Sequence, residues 1–277
     1  METKFDYTKY PENKYSGYEK IGHSLNENIN NIKWNDLNEQ QYNLAKKLMS
    51  NPTYFPTFSE FQQLLEMAVL TDFMWEQNKQ IQVFFKGGTE IWIKKTLEIA
   101  NIWNLHCNIS FHQTMNIEES HLRVGFENSG CWSYLGNIAL TIPSSESTLN
   151  LEISNLTPKD AEFKRIVLHE FGHALGLIHE HQSPIAEIEW NKQYVYNYFQ
   201  MRYGWDKLMV DRNLFDEYNN LKKHHSYLDS TSIMGYHIPS IFTLNGVEFP
   251  LNYELSKCDI DFIGKIYPKS DIELIKS

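Results

Sequence analysis

His169-Glu170-Phe171-Gly172-His173-Ala174-Leu175-Gly176-Leu177-Ile178-His179-Glu180 decides how the rest of this 277-residue chain is read. Residues four apart on a helix project from one face, about one turn or ~6 Å apart. His169 and His173 can therefore direct two imidazole nitrogens at one ion, a spacing suited to Zn²⁺. Glu170 is rotated off that pair but stays beside the ion, where it can reach a water. His179 cannot join them on a continuous helix, because it would lie about 240° around and ~9 Å beyond His173. The helix must stop and the chain must turn back. Gly176 supplies the stop, since glycine enters the left-handed region at little cost. By composition alone the complete pattern arises by chance in roughly 7 of 100,000 such chains. A buried helix with satisfied histidines is the weaker reading.

Upstream of the motif, Thr157-Pro158-Lys159-Asp160 predicts a helix start, with Thr157 as N-cap, Pro158 in the first position and Asp160 closing a capping box. Phe163, Ile166, Val167, Phe171 and Ala174 then form an apolar stripe, with the histidines to one side of it. Earlier still, Ile81, Val83 and Phe85 alternate as in a strand, and Gly87-Gly88 reads as a turn. Thr89 caps a helix predicted to run to about Asn104. Further strands are predicted over Asn108–Phe111, Leu122–Phe126 and Thr148–Ile153. This order predicts an α+β domain, with a mixed sheet and helices against one face.

Downstream, Ser183-Pro184 breaks the chain and a helix is predicted from Asn191 to about Arg202. A long irregular stretch follows and contains Ser232-Ile233-Met234-Gly235-Tyr236. The last helix starts at Ser256, with Asp259 three residues on as a second capping box and Ile260, Ile263, Ile266 and Tyr267 as its buried face. At the other end, residues 1–35 read as loop. Helices are predicted over Glu39–Met49 and from Ser59, with Phe61, Leu64, Leu65 and Ala68 on one face. Two units result: an N-terminal, mostly helical extension over residues 1–75, read either as an inhibitory prosegment or as structural, and a catalytic domain over 76–277.

Net charge is −10 and pI about 5.6, which argues against nucleic acid or an anionic membrane as partner. No apolar run is long enough to span a membrane. Cys107, Cys131 and Cys258 are too few and too odd in number for a disulfide framework. One pair plus a free thiol, or three free thiols, both remain open. The first residues lack an apolar leader, which points to an intracellular enzyme or to export without a cleaved leader; a leader removed beforehand would make the protein secreted. His224-His225 reads as a solvated surface pair, and His181 and His237 flank the site motifs.

The two motifs together resemble the metzincin zinc endopeptidases, and His179-Glu180 with Ser232-x-Met234-x-Tyr236 resembles the astacin group among them. Trp132-Ser-Tyr-Leu-Gly136, Glu180-His-Gln-Ser-Pro184, Trp190-Asn191 and Leu255-Ser-x-x-Asp259 resemble microbial astacin-like proteases, so the likeness spans roughly residues 75–268. The resemblance implies a zincin fold, in which a twisted mixed sheet, a backing helix and an active-site helix lie above an irregular C-terminal subdomain ending in a helix. It implies one catalytic Zn²⁺ held by His169, His173 and His179, with Glu170 as general base. Met234 would floor the site, and Tyr236 would ligate or overhang the metal and then stabilise the oxyanion. Thr148–Ile153 would be the rim strand that pairs with extended substrate. The implied function is zinc-dependent hydrolysis of peptide bonds in a protein or peptide. The alternative is a latent or catalytically silent binding module. Two features depart from the family: no Phe-x-Gly-Asp motif occurs in residues 1–75, and the three cysteines do not match the paired cysteines of secreted relatives.

Overall fold

The structure is a computed structural model that describes residues 74–182, 186–215 and 228–269. The helices expected over Glu39–Met49 and from Ser59, the Ser183-Pro184 break and His224-His225 lie outside the described residues.

Strand β1 (Gln80–Lys86) follows the expected alternation, with Ile81, Val83 and Phe85 buried. Gly87 and Gly88 turn the chain at φ 102° and 80°, a region that favours glycine. Helix α1 (Glu90–Ala100) is shorter than expected. Its end is set by Asn101, whose amide donates to the carbonyls of Leu97 (3.0 Å) and Phe111 (2.8 Å) while its oxygen accepts the Phe111 N–H (2.9 Å). Those bonds tie the helix end to β2 (Ser110–Gln113), and Trp103–Leu105 continues only as a 3₁₀ turn. Strands β3 (Leu122–Gly125), β4 (Trp132–Ser133) and β5 (Leu149–Asn150) complete a sheet of order β2-β1-β3-β5-β4. All its pairings are parallel except β4 with β5.

The topology corrects the expected rim strand. Leu149 and Asn150 pair with β3 on one side and β4 on the other, so both edges of β5 are used. The flanking Thr148 also donates its N–H to the Arg123 carbonyl, and its own carbonyl accepts the Tyr134 N–H. Among the described residues, the sheet edge on this side is β4, Trp132–Ser133.

Helix α2 (Ala161–Ala174) begins three residues later than expected. Asp160 is its N-cap, in extended conformation. The Asp160 carboxylate does accept the Thr157 N–H (2.6 Å), but the Asp160 N–H is spent on the Thr157 carbonyl, which makes Thr157–Asp160 a separate tight turn. The apolar stripe behaves as expected: Phe163, Val167, Phe171 and Ala174 are fully buried. Trp92 of α1 meets Phe163 edge-on at 4.8 Å, and Phe111 of β2 meets Phe171 in the same way at 4.8 Å.

A second core forms in the C-terminal part. Helix α3 (Lys192–Tyr203) ends at Gly204, and α4 (Lys207–Val210) runs into a π-helical turn over Asp211–Phe215. Val195, Phe199, Trp205, Val210 and Phe249 fill this lobe. Helix α5 (Lys257–Ile266) carries the expected capping box, with both Ser256–Asp259 bonds made. It returns to the first core, where Ile263 and Tyr267 are buried while Ile260 and Ile266 are only partly so. Trp75 also belongs to the first core: its indole N–H donates to the Ala174 carbonyl (2.7 Å) and its backbone N–H to the Tyr267 hydroxyl (3.2 Å). Met74 packs against the same core. The segment Ser232–Tyr236 joins the two cores, with Ile233 and Met234 in the first and Tyr236 packed on the second.

Candidate metal centre and cleft

Helix α2 ends in a Schellman turn. Gly176, at φ 97°, donates to the His173 carbonyl (2.8 Å), and Leu177 donates back to Gly172 (3.0 Å). The last helical carbonyls are satisfied from outside, Ala174 by Trp75 and Leu175 by the Tyr267 hydroxyl (2.9 Å). This turn swings His179 back over the helix. The Nε2 atom of His179 lies 3.1 Å from that of His173 and 3.3 Å from that of His169.

Those nitrogens meet as lone pairs. Each Nδ1–H donates elsewhere: His169 to the Ile233 carbonyl (2.8 Å), His173 to the Leu177 carbonyl (2.7 Å) and His179 to the Gln182 side-chain oxygen (2.9 Å). With Nδ1 protonated, each Nε2 is an acceptor. Three acceptors at such separations repel unless a cation sits between them. A tetrahedral Zn²⁺ with Zn–N of about 2.0–2.1 Å requires N···N of about 3.3 Å, which the two distances from His179 match. All three rings are buried, and they form the single group of three suitable donors among the described residues. Burial pushes His173 down to about 4 and holds His169 and His179 well below the usual histidine range, with neighbouring histidines adding to the effect on those two. The imidazoles are thus neutral, as metal ligation needs.

Glu170 is buried beside His169, and its Oε2 has no hydrogen-bond partner among the described residues. Burial pushes it up to about 8, opposed by the nearby Arg165 charge. Met234 packs against the ligand helix at Gly172, where an added Cβ would fall 2.4 Å from its Sδ, so the methionine side chain would have to shift to admit any larger residue; sequence spacing does not reveal this contact. The half-buried Tyr236 places its ring 4.2 Å from His179 and 5.9 Å from His169. His181 stacks with Tyr236 at 4.9 Å and with His179 at 5.3 Å; it is buried, donates through Nε2–H to the Asn213 carbonyl (3.1 Å), and is packing rather than cleft lining. His237 is half-buried, and burial followed by the Arg165 charge lowers its pKa. Glu180 accepts the Asp229 N–H (3.0 Å), and its own N–H donates to the Met234 carbonyl (3.2 Å). Cys107, Cys131 and Cys258 form no disulfide with one another. Gln182, and the Leu177 and Ile233 carbonyls that orient the ligands, are further site groups absent from the sequence reading. Gln182 stood in the sequence only within the Glu180–Pro184 run, with nothing to mark it as a partner of His179.

A three-histidine centre on a sheet-backed helix, closed from below by a methionine turn, is the architecture of a zinc metallopeptidase. The model of the Astacin peptidase family matches residues 69–249, more than half of the chain, and the chain belongs to that family. The structure resembles two solved structures of myroilysin. One is 39% identical with a TM-score of 0.66, covering 72% of this chain and 97% of that one; the other is 40% identical with a TM-score of 0.56, covering 72% and 88%. A curated relative, zinc metalloproteinase nas-27 of Caenorhabditis elegans, is 35% identical over 89 residues. That stretch is 32% of this chain and 18% of the worm protein, so the two share only part of their length.

Proposed function

We propose that this chain is a zinc endopeptidase in which Glu170 is the general base and Tyr236 the oxyanion donor. The observation that supports it most strongly is an unpartnered, buried Glu170 oxygen next to three convergent imidazole lone pairs. A purely structural zinc site has no use for such a carboxylate. When bound, Zn²⁺ supplies Lewis acidity that polarises a carbonyl and lowers the pKa of water to about 7.

The protein's own groups do the rest. The backbone of Trp132–Ser133, at the sheet edge, pairs with an extended peptide and lays it across the cleft. His169, His173 and His179 stay neutral because they are buried, an effect that outweighs the Nδ1 hydrogen bonds, which favour the charged form. Glu170 takes a proton from the attacking water and passes it to the leaving amine as the C–N bond breaks. Its affinity for a proton, raised by burial, suits a group that must hold the proton between the two steps. The Tyr236 hydroxyl donates to the oxygen on which negative charge develops.

The test is the Glu170→Gln variant, assayed on a mixture of peptides and on denatured protein. We expect one zinc per chain to be retained and cleavage to be lost. Full cleavage would remove Glu170 from the mechanism. Stoichiometric zinc without turnover in the unmodified chain would favour a silent binding module instead.

A further inference from the structure

We propose that Asp259, at the start of α5, is a positioning residue for the metal, coupled to His169 through the Ser232 hydroxyl and the Ile233–Met234 peptide group. The inference rests on reading His169 as a zinc ligand. Three hydrogen bonds form the links. Asp259 Oδ1 accepts the Ser232 hydroxyl (2.7 Å). The Ser232 oxygen accepts the Met234 N–H (3.0 Å). That N–H and the Ile233 carbonyl belong to one peptide unit, and the carbonyl accepts Nδ1–H of His169 (2.8 Å).

The direction of the chain is unambiguous. A carboxylate only accepts, so the single Ser232 proton points to Asp259 and leaves the Ser232 oxygen to accept. Pulling on the Met234 N–H makes the Ile233 carbonyl more negative, and hydrogen bonds in series reinforce one another. A better acceptor at Nδ1 makes the opposite nitrogen a stronger donor to a metal. Direct carboxylate–histidine pairs at metal sites work in this way. Here the carboxylate acts at a distance, through one side chain and one peptide.

A helix cap alone does not explain the arrangement. The cap uses Asp259 Oδ2, which accepts the Ser256 N–H (2.9 Å) and also the Ile233 N–H (2.8 Å). Oδ1 is given wholly to Ser232. Asp259 and Ser232 are both buried, so water does not compete for these bonds. The C-terminal helix therefore does more than cover the core: its first turn sets the basicity of a ligand on α2.

The experiment measures zinc affinity by chelator competition on the full chain, for Ser232→Ala, Asp259→Asn, the double variant, Ser256→Ala and His169→Ala. Each protein is first shown to be folded by circular dichroism. We expect Ser232→Ala and Asp259→Asn each to weaken zinc binding roughly 10–100-fold. The double variant should lose no more than the worse single one, because both changes break one relay. Ser256→Ala removes half of the capping box but no link of the relay, so it should lower thermal stability and leave zinc affinity unchanged. In the ¹⁵N-labelled protein, the His169 Nδ1–H resonance should move upfield in Ser232→Ala. Unchanged zinc affinity and an unmoved resonance in both single variants would overturn the relay. Additive losses in the double variant would make it two independent packing effects. Zinc bound as tightly by His169→Ala as by the unmodified chain would instead overturn the ligand assignment itself.

Discussion

The metal centre has two halves held by different forces. His169, Glu170 and His173 ride on α2, whose inner face is sealed by Phe163, Val167 and Phe171. His179, Met234 and Tyr236 sit on irregular chain and are placed by individual hydrogen bonds, from Glu180 N–H to Met234 and from Gln182, Asp229, Ser232 and Asp259. Apolar packing positions a helix as a rigid body, whereas a loop needs a bond for nearly every residue that must stay in place. The helical half thus depends on volume and the irregular half on polar satisfaction. At Gly172 and Met234 the two touch so closely that a single methyl group would part them.

Substitutions can break this contrast in order of size. Glu170→Ala removes the proposed base from the helical half and should reduce kcat by about 10²–10⁴, with zinc retained; intact turnover would contradict that role. On the same helix, Phe171→Ala should cost about 3–5 kcal/mol in denaturant unfolding, because a fully buried aromatic leaves a cavity. A loss under about 1 kcal/mol would mean that packing does not hold this half. In the irregular half, Tyr236→Phe should lower kcat about 10²–10³-fold with little change in stability, and an unchanged kcat would dismiss the oxyanion role.

The smallest effect is a pH-dependent one. Burial, with the charges of Asp229 and Asp259 adding to it, pushes Glu180 up to about 7, against the Asp229 N–H. A carboxyl whose folded pKa is raised is destabilising once ionised, so its contribution worsens as pH rises from about 4.5 to 7. Glu180→Gln, which can still accept the Asp229 N–H, should therefore be more stable than the unmodified chain above pH 7, by on the order of 1–3 kcal/mol. The two should converge below about pH 4.5. A difference that is constant across this range would show that Glu180 is not the titrating group.

The same contrast explains what could be read in advance. Strand β1, the stripe of α2 and the cap of α5 each follow from a periodicity or a local pair of residues, and all stand in the structure. The three histidines were legible because spacing and a glycine stop leave one geometry. What escaped depends on distant partners. The end of α1 is set by Asn101 reaching Phe111, and Thr157 loses its place as N-cap because its carbonyl takes the Asp160 N–H. Thr148–Ile153 alternates like a strand, but alternation says nothing about which edge is free. The true edge, Trp132–Ser133, pairs over only two residues, too short for a period to register. Trp75 gave no sign in the sequence of its two hydrogen bonds, to Ala174 and Tyr267, which tie it to the first core. Gly172 reads as an ordinary helical residue in the sequence, because the Met234 sulfur against it comes from 62 positions downstream.

In the proposed function, one zinc ion held by three neutral imidazoles is needed for peptide-bond hydrolysis. This requirement is tested most directly by titrating the metal-free full chain with Zn²⁺ while following cleavage of a denatured protein. No cleavage is expected without metal, and a linear rise that saturates at one equivalent. Cleavage that survives complete removal of zinc, or that stays absent with the site filled, would contradict it.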